Sequence, residues 1–78
     1  MSDHNVAKTL DLKGLPCPMP IVRMSQEIGS VGVGDIIEVH TTDPGSLSDF
    51  PAWAKSTGHE VLESVQGDPI VIFVRRTK

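Results

Sequence analysis

Residues 69–76 read PIVIFVRR, and this stretch decides the fold. A strand that is apolar on both faces, as residues 70–74 are, is typical of the interior of a sheet rather than of its edge. Gly67 and Asp68 form a turn signal just before it, so the strand-like segment HEVLESVQ at 59–66 pairs with it. The chain therefore ends in a β-hairpin whose last strand lies inside the sheet.

Alternation of apolar and polar residues predicts two more strands upstream of the hairpin. The first is AKTLDL at 7–12, in which Leu10 and Leu12 share a face. The second is DIIEVHT at 35–41, in which one face carries Ile37, Val39 and Thr41. Both patterns are those of half-buried strands.

A helical pattern follows each of these two strands. After the first, Ile21, Met24 and Ile28 are spaced as on one face of a short amphipathic helix that ends at Gly29 or the glycines just beyond it. After the second strand, in TDPGSLSDFPAWAKSTGHE at residues 42–60, Leu47, Phe50 and Ala54 keep helical spacing. This spacing predicts a second helix, which connects two strands as the first helix does.

The second helix has a marked start and a marked stop. Asp43 followed by Pro44 favours a helix start, because an aspartate caps free N–H groups and proline fits the first turn. Gly58 is a natural stop. Pro51 removes one helical hydrogen bond, so we expect either a kink or a fresh helix start capped by Asp49.

The predicted element order is β-α-β-α-β-β. Crossovers between parallel strands are right-handed, so both helices should lie on one face of a mixed four-stranded sheet. The fold class is then α/β (α+β), a two-layer sandwich whose other sheet face is partly apolar and open to a partner. We expect residues 1–6 to form a flexible tail and residues 7–78 to form a single domain.

Composition argues against several classes of protein. The chain has 78 residues, one cysteine and a net charge of −3, whereas a disulfide framework needs paired cysteines and nucleic-acid binding needs a basic surface. The N-terminus lacks the apolar core of a signal peptide, and no apolar run is long enough to span a bilayer. The three histidines lack the spacing of a metal site. We expect a soluble cytoplasmic protein with no cofactor and no metal.

The single cysteine, Cys17, lies between two prolines in LPCPMP at 15–20. Because proline is favoured at the first helical position, Pro18 predicts that Cys17 lies at or just before the start of the first helix. Unpaired N–H groups and the helix dipole there stabilise an anion, and the pKa of such a thiol falls from about 8.5 to between roughly 3.5 and 7.5. The prolines remove two donors but stiffen the turn, and Lys13 and Arg23 could add positive charge.

Position alone leaves two interpretations of Cys17 open. A lone cysteine is most often a small buried side chain with no chemical role. Buried cysteines usually occupy apolar positions within strands or helices, whereas Cys17 lies in a proline-rich loop. From its position, a reactive thiol and an inert one carry equal weight.

From about Leu10 to its last strand, the chain resembles the TusA/SirA/YedF family of small sulfur-carrier proteins. The resemblance rests on the C-P-x-P motif together with its surroundings, namely Gly14-Leu15, Cys17, Pro18, Met19, Pro20, Asp43-Pro44 and Asp49-Phe50-Pro51. The resemblance implies the same β-α-β-α-β-β order that the patterns predict.

The resemblance also implies a specific activity. The motif cysteine accepts a sulfane sulfur from a donor such as a cysteine desulfurase or a rhodanese, and carries it as a persulfide to the thiol of an acceptor protein. Pro18 and Pro20 then set the turn at Cys17, and Gly14 allows the loop. The outlets of the family include tRNA 2-thiouridine formation, molybdenum-cofactor synthesis and sulfur oxidation.

Two residues depart from the pattern of the family. Met19 stands where the tRNA-thiolating member has an acidic residue, which disfavours that outlet. Met19 could fill the core or form an apolar contact with a partner, and we favour the contact because a helix start should be exposed. Ala54 stands where many relatives place a second cysteine. The carrier step does not need that second thiol.

Two other functions compete with the carrier. A regulatory or protein-binding module would use the open sheet face or the basic C-terminus, and Cys17 would be incidental to it. A stand-alone thiol enzyme fits least well, because no second cysteine and no obvious general base accompany Cys17. We expect a monomeric carrier that docks transiently on donor and acceptor, rather than a complete enzyme.

Overall fold

The computed structural model describes residues 6–16 and 18–78. Its four strands and two helices follow the predicted order, with a short 3-10 turn after the first helix: β1 Val6–Leu12, α1 Met19–Glu27, the turn Ile28–Ser30, β2 Ile36–Thr41, α2 Ser46–Thr57, β3 Glu60–Val65 and β4 Ile70–Arg75. Of the tail expected at residues 1–6, only Val6 is among the described residues, and it begins β1.

The sheet has the strand order β1-β2-β4-β3. β1 runs parallel to β2, and β4 runs antiparallel to both of its neighbours, β2 and β3. The predicted mixed four-stranded sheet, with the hairpin at its end and β4 in its interior, is confirmed. β4 tolerates apolar side chains on both faces because it is flanked by strands on both sides.

The core lies between the helices and one face of the sheet. Met24 of α1 and Phe50 of α2 are fully buried there, as the helical spacing predicts. The sheet contributes the alternate residues of three strands to the same cluster, namely Leu10, Leu12, Ile37, Val39, Ile70, Ile72 and Val74. Both helices thus pack on one face, which confirms the two-layer sandwich.

The other face of the sheet is mixed in character. Ile36 and Val71 are half-buried on it, and Phe73 lies between Glu38 and Glu63 in the strand register. Phe73 is only 6% exposed, so most of its ring is covered although both helices pack on the opposite face. The face is partly apolar, as predicted.

α2 runs without interruption from Ser46 to Thr57, so a fresh start at Asp49 is wrong. Pro51 is exposed inside the helix, where one hydrogen bond is lost while the buried face at Phe50 and Ala54 continues. Gly58 ends the helix at φ 87°, a left-handed conformation that glycine adopts without a steric penalty.

Candidate functional site

The segments that follow β1 and β2 begin side by side at one edge of the sheet. The two strands are parallel neighbours, and Leu12 at the end of β1 pairs with Thr41 at the end of β2. The loop that leads to the C-P-x-P motif therefore starts next to the loop that leads to α2. We refer to residues 13–16 as the approach loop.

The approach loop uses its backbone donors in three different ways. The N–H of Lys13 donates to Asp11 Oδ1 at 3.2 Å, and that of Leu15 donates to the Leu12 carbonyl at 3.3 Å. The N–H of Gly14 crosses to the neighbouring loop and donates to Thr42 Oγ1 at 2.9 Å. Gly14 adopts φ 82°, so a residue without a side chain is needed there, as the loop prediction anticipated.

A turn spans the position of the cysteine. The N–H of Met19 donates to the Pro16 carbonyl at 2.8 Å. Cys17 itself lies outside the described residues, so the prediction of its exposure and thiol chemistry stays a prediction. The residues on both sides of it, Pro16 and Pro18, are exposed.

The first helix begins one residue later than Pro18 predicts. Pro18 is the N-cap residue, Met19 is the first helical residue, and Pro20 takes the second helical position. Both prolines lack an N–H group, and the N–H of Met19 is already used by Pro16. This helix start therefore offers few free donors, and its effect on an anion depends mainly on the helix dipole.

An exposed apolar patch flanks the position of the cysteine. Met19 is 39% exposed and Val22 is 38% exposed, and the two lie one turn apart on α1. Pro20 is buried, and Leu15 packs against the core, so these two site-shaping residues anchor the segment from below. Met19 is thus exposed, and its role as a contact for a partner stays a prediction.

The two predicted electrostatic helpers both have acidic partners. Lys13 Nζ lies 4.0 Å from Asp11 Oδ1, and Arg23 lies 4.0 Å from Glu27 across one helical turn. Their charges are thus partly compensated at the surface, where such pairs are weak. Glu27 also accepts a hydrogen bond from Lys8, and that hydrogen bond is the main reason why the pKa of Glu27 lies below its usual value.

The neighbouring loop is held by buried polar groups. Thr41 and Ser46 are buried, and their hydroxyls lie 3.3 Å apart. Asp43 Oδ1 accepts the N–H of Gly45 at 3.2 Å, in the turn just before α2 rather than inside the helix. The other oxygen, Asp43 Oδ2, is buried and has no hydrogen-bond partner. Gly45 is the N-cap residue of α2, and within the described part of the chain the helix has no side-chain capping hydrogen bond, so the prediction that Asp43 caps this helix is wrong.

Thr42 is a residue of this region that the sequence patterns do not single out. A signal for it exists, because two parallel strands that are neighbours bring the loops at their carboxyl ends together. Among residues 6–16 and 18–78, no group of three or more His, Cys, Asp and Glu side chains could hold a metal ion. None of the described helices is both long and apolar enough to cross a membrane.

Comparison with known proteins identifies relatives over almost the whole chain. The family model described as sulfurtransferase TusA matches residues 8–76, a range that includes the C-P-x-P motif. The chain is 47% identical to the sulfur carrier protein TusA of Allochromatium vinosum over 70% of this chain and 72% of that protein. It is also 47% identical to YrkF of Bacillus subtilis over 86% of this chain, but it spans only 37% of the length of YrkF.

The fold also matches a solved structure. The crystal structure of a SirA-like protein from Desulfitobacterium hafniense superposes with a TM-score of 0.77, over 91% of this chain and 99% of that one. The two sequences are 22% identical, so this comparison bears on the fold alone. Together, the matches confirm the family resemblance and the two-layer α/β fold.

Proposed function

The chain belongs to the sulfurtransferase TusA family, and from this premise we propose that it is a sulfur carrier that holds sulfane sulfur on Cys17 as a persulfide. The family match across residues 8–76 is the observation that carries the proposal, because it includes the only cysteine of the chain. Residues 7–78 act as one carrier domain.

The chemistry is a transfer of one sulfur atom between thiols. The thiolate of Cys17 attacks the outer sulfur of a donor persulfide, a new S–S bond forms, and the old S–S bond breaks as the donor thiolate leaves. An acceptor thiolate then attacks the outer sulfur of the Cys17 persulfide and releases the Cys17 thiolate. Each step exchanges one S–S bond for another, so no external oxidant or reductant is needed.

The surroundings of Cys17 support this role. The flanking residues Pro16 and Pro18 are exposed, and the turn from Pro16 to Met19 is closed by a hydrogen bond, so a partner can reach a stiff segment of chain. The chain has no other cysteine, so the outer sulfur cannot be lost by forming an internal disulfide. Both properties suit a protein that must deliver sulfur to another protein.

The partners follow from the chemistry. A donor such as a cysteine desulfurase or a rhodanese presents a persulfide, and the acceptor presents a thiol. We place the protein in the cytoplasm, where a reducing environment keeps a free thiol available. A monomer that docks transiently on each partner in turn is the simplest arrangement for a relay.

The test is intact-protein mass spectrometry after incubation with a cysteine desulfurase and cysteine, and separately with inorganic polysulfide. The wild-type protein should gain the mass of one sulfur atom, and a reductant should remove it. The matched control is Cys17→Ser, which keeps the size and polarity of the side chain but should gain nothing. A wild-type protein that alkylates readily yet gains no sulfur from either donor would overturn the proposal.

One observation favours a second function. The open face of the sheet carries half-buried Ile36 and Val71 beside Phe73, which suits a module that binds a protein through this face. If the protein acts in that way, Cys17→Ser should leave its cellular activity intact. Loss of activity in the same variant, with the fold retained, would favour the carrier.

A further inference from the structure

In the described part of the approach loop, one backbone N–H forms a hydrogen bond to another part of the fold, in addition to the packing of Leu15 against the core. This donor is the N–H of Gly14, at 2.9 Å from Thr42 Oγ1. The donors at positions 13 and 15 bond within β1 and within the turn that follows it. Without Thr42, the loop would keep these local hydrogen bonds but would lose that connection to the neighbouring loop.

Gly14 depends on this hydrogen bond to hold its conformation more than another residue would. It adopts φ 82°, a left-handed conformation, and it has no Cβ that would restrict its backbone. Glycine is the residue that is least restricted by its own backbone. A hydrogen bond from outside the loop is therefore an effective way to hold one conformation.

Thr42 is well placed to supply that hydrogen bond, because other hydrogen bonds hold the loop in which it lies. The N–H of Asp43 donates to the buried Thr41 hydroxyl at 3.2 Å, and the N–H of Ser46 donates to the Asp43 carbonyl at 3.0 Å. Thr41 and Ser46 on either side of the loop are buried. Thr42 thus lies in a hydrogen-bonded loop, and its hydroxyl reaches the approach loop.

We propose that Thr42 is a positioning residue for the carrier, in which its hydroxyl fixes Gly14 and, through it, the segment that leads into Cys17. The proposal rests on the proposed sulfur-carrier function and names a residue that acts on the same site. Thr42 acts through the approach loop and takes no part in the sulfur exchange itself. Its side chain is exposed, so the effect of removing it should be moderate rather than total.

The expected consequence is a change in thiol reactivity. The favourable effect of a helix start on an anion falls off within one turn, so it depends on the distance between the sulfur and the helix. Only two residues separate Gly14 from Cys17. Loosening of the approach loop should therefore change the setting of the thiol, and we expect a smaller fraction of thiolate at neutral pH.

The test compares the rate of alkylation by iodoacetamide between pH 5 and pH 10 in the wild type, Thr42→Val and Thr42→Ser. Valine keeps the branched shape but removes the acceptor, and serine keeps the hydroxyl. In Thr42→Val we expect the rate at pH 7 to fall about two- to fivefold and the midpoint of the pH profile to rise, a range that matches the usual size of helix-end effects. Thr42→Ser should stay close to the wild type.

Two outcomes would overturn the proposal. One is a Thr42→Val profile that coincides with that of the wild type, and the other is a Thr42→Ser profile that falls as far as the valine profile. If Thr42→Val does not fold, amide hydrogen exchange of wild-type Gly14 decides, because an unprotected amide there would contradict the anchor.

Failure of this inference is distinguishable from failure of the proposed function. Alkylation requires no sulfur donor, so it reports on the thiol alone. A wild-type protein that gains no sulfur would overturn the carrier while the Thr42 effect on the thiol persisted. A wild type that loads sulfur, with no Thr42 effect on alkylation, would overturn only the positioning role.

Discussion

The two helices begin at the same edge of the sheet, each after one of the two parallel strands, yet their starts differ. The start of α2 is surrounded by polar groups: Asp43 holds Gly45, Ser46 is buried against Thr41, and Asp49 lies in the first turn. The start of α1 has no acidic residue in its first turn, and its prolines remove donors. Polar contacts stabilise the start of α2, whereas the start of α1, which follows the cysteine in sequence, is left exposed.

The same contrast continues along the two helices. α2 carries the fully buried Phe50, whereas Val22 in the first turns of α1 is 38% exposed. A helix start that must meet partners cannot also be covered by its own fold. Both helices contribute to the core, through Met24 of α1 and Phe50 of α2, so the difference lies in the exposed apolar surface that the first turns of α1 keep at Met19 and Val22.

The sharpest test of this contrast removes one side chain from each helix. Phe50→Ala should lower the free energy of unfolding by about 3–5 kcal/mol, because it leaves a cavity in the core. The matched variant Val22→Ala should change it by no more than about 0.5 kcal/mol, because the side chain is exposed. Urea unfolding gives the free energy of unfolding of each variant. Equal decreases in the two variants would contradict the contrast between the buried position and the exposed one.

A smaller effect is expected from the turn that precedes α2. Asp43→Ala should cost about 1 kcal/mol, the usual contribution of one hydrogen bond, because it leaves the N–H of Gly45 without its acceptor. Asp43→Asn is the control, since its amide oxygen can still accept that hydrogen bond. Thermal unfolding of the two variants gives the comparison. If alanine is as stable as asparagine at this position, the side chain does not hold the start of α2.

The smallest expected effect concerns the far end of α2, where His59 follows the helix stop. Burial, together with the charges of Arg76 and Lys78, lowers the pKa of His59 below its ordinary value of 6.5. Below pH 6.5 the unfolded chain thus binds a proton that the folded protein resists, so His59 contributes stability that is lost as the pH falls toward its folded pKa. Stability should fall as the pH drops from 7 to 5, as urea unfolding at each pH can show.

His59→Gln is the control for this pH dependence, because glutamine does not titrate. Its stability should vary less between pH 7 and pH 5 than that of the wild type. Glu27 contributes to stability in a different pH range. Its pKa is lowered from 4.5, so its contribution is present above pH 4.5 and is lost only below that pH. A slope between pH 7 and pH 5 that is unchanged in His59→Gln would contradict the assignment.

Local signals in the sequence predict most of the fold. The apolar run at 70–74 predicts the interior strand β4, and Gly58 predicts the end of α2, because each depends on a residue and its near neighbours. The prediction at Pro51 is wrong about a fresh helix start, since the burial of Phe50 and Ala54 outweighs the loss of one hydrogen bond. Local propensity was overridden there by packing.

The candidate site is less accessible to sequence reasoning. The motif Cys17-Pro18-Met19-Pro20 identifies its centre, but the N–H of Met19 turns out to be used by Pro16, which no spacing rule indicates. The link between Gly14 and Thr42 joins residues far apart in the chain, and it depends on the strand register. Contacts of this kind arise from the assembled fold rather than from a pattern of neighbouring residues.

Trp53 is the only tryptophan of the chain, which also has no tyrosine, and its position has a spectroscopic consequence. Its indole N–H donates to Ser25 of α1 at 2.9 Å, and its ring stacks on His59 with the centroids 5.4 Å apart. The intrinsic fluorescence of the protein therefore comes from one ring that touches both helices and the segment after them. A single emission band reports on this junction, so detachment of α1 from α2 can be followed optically without any label.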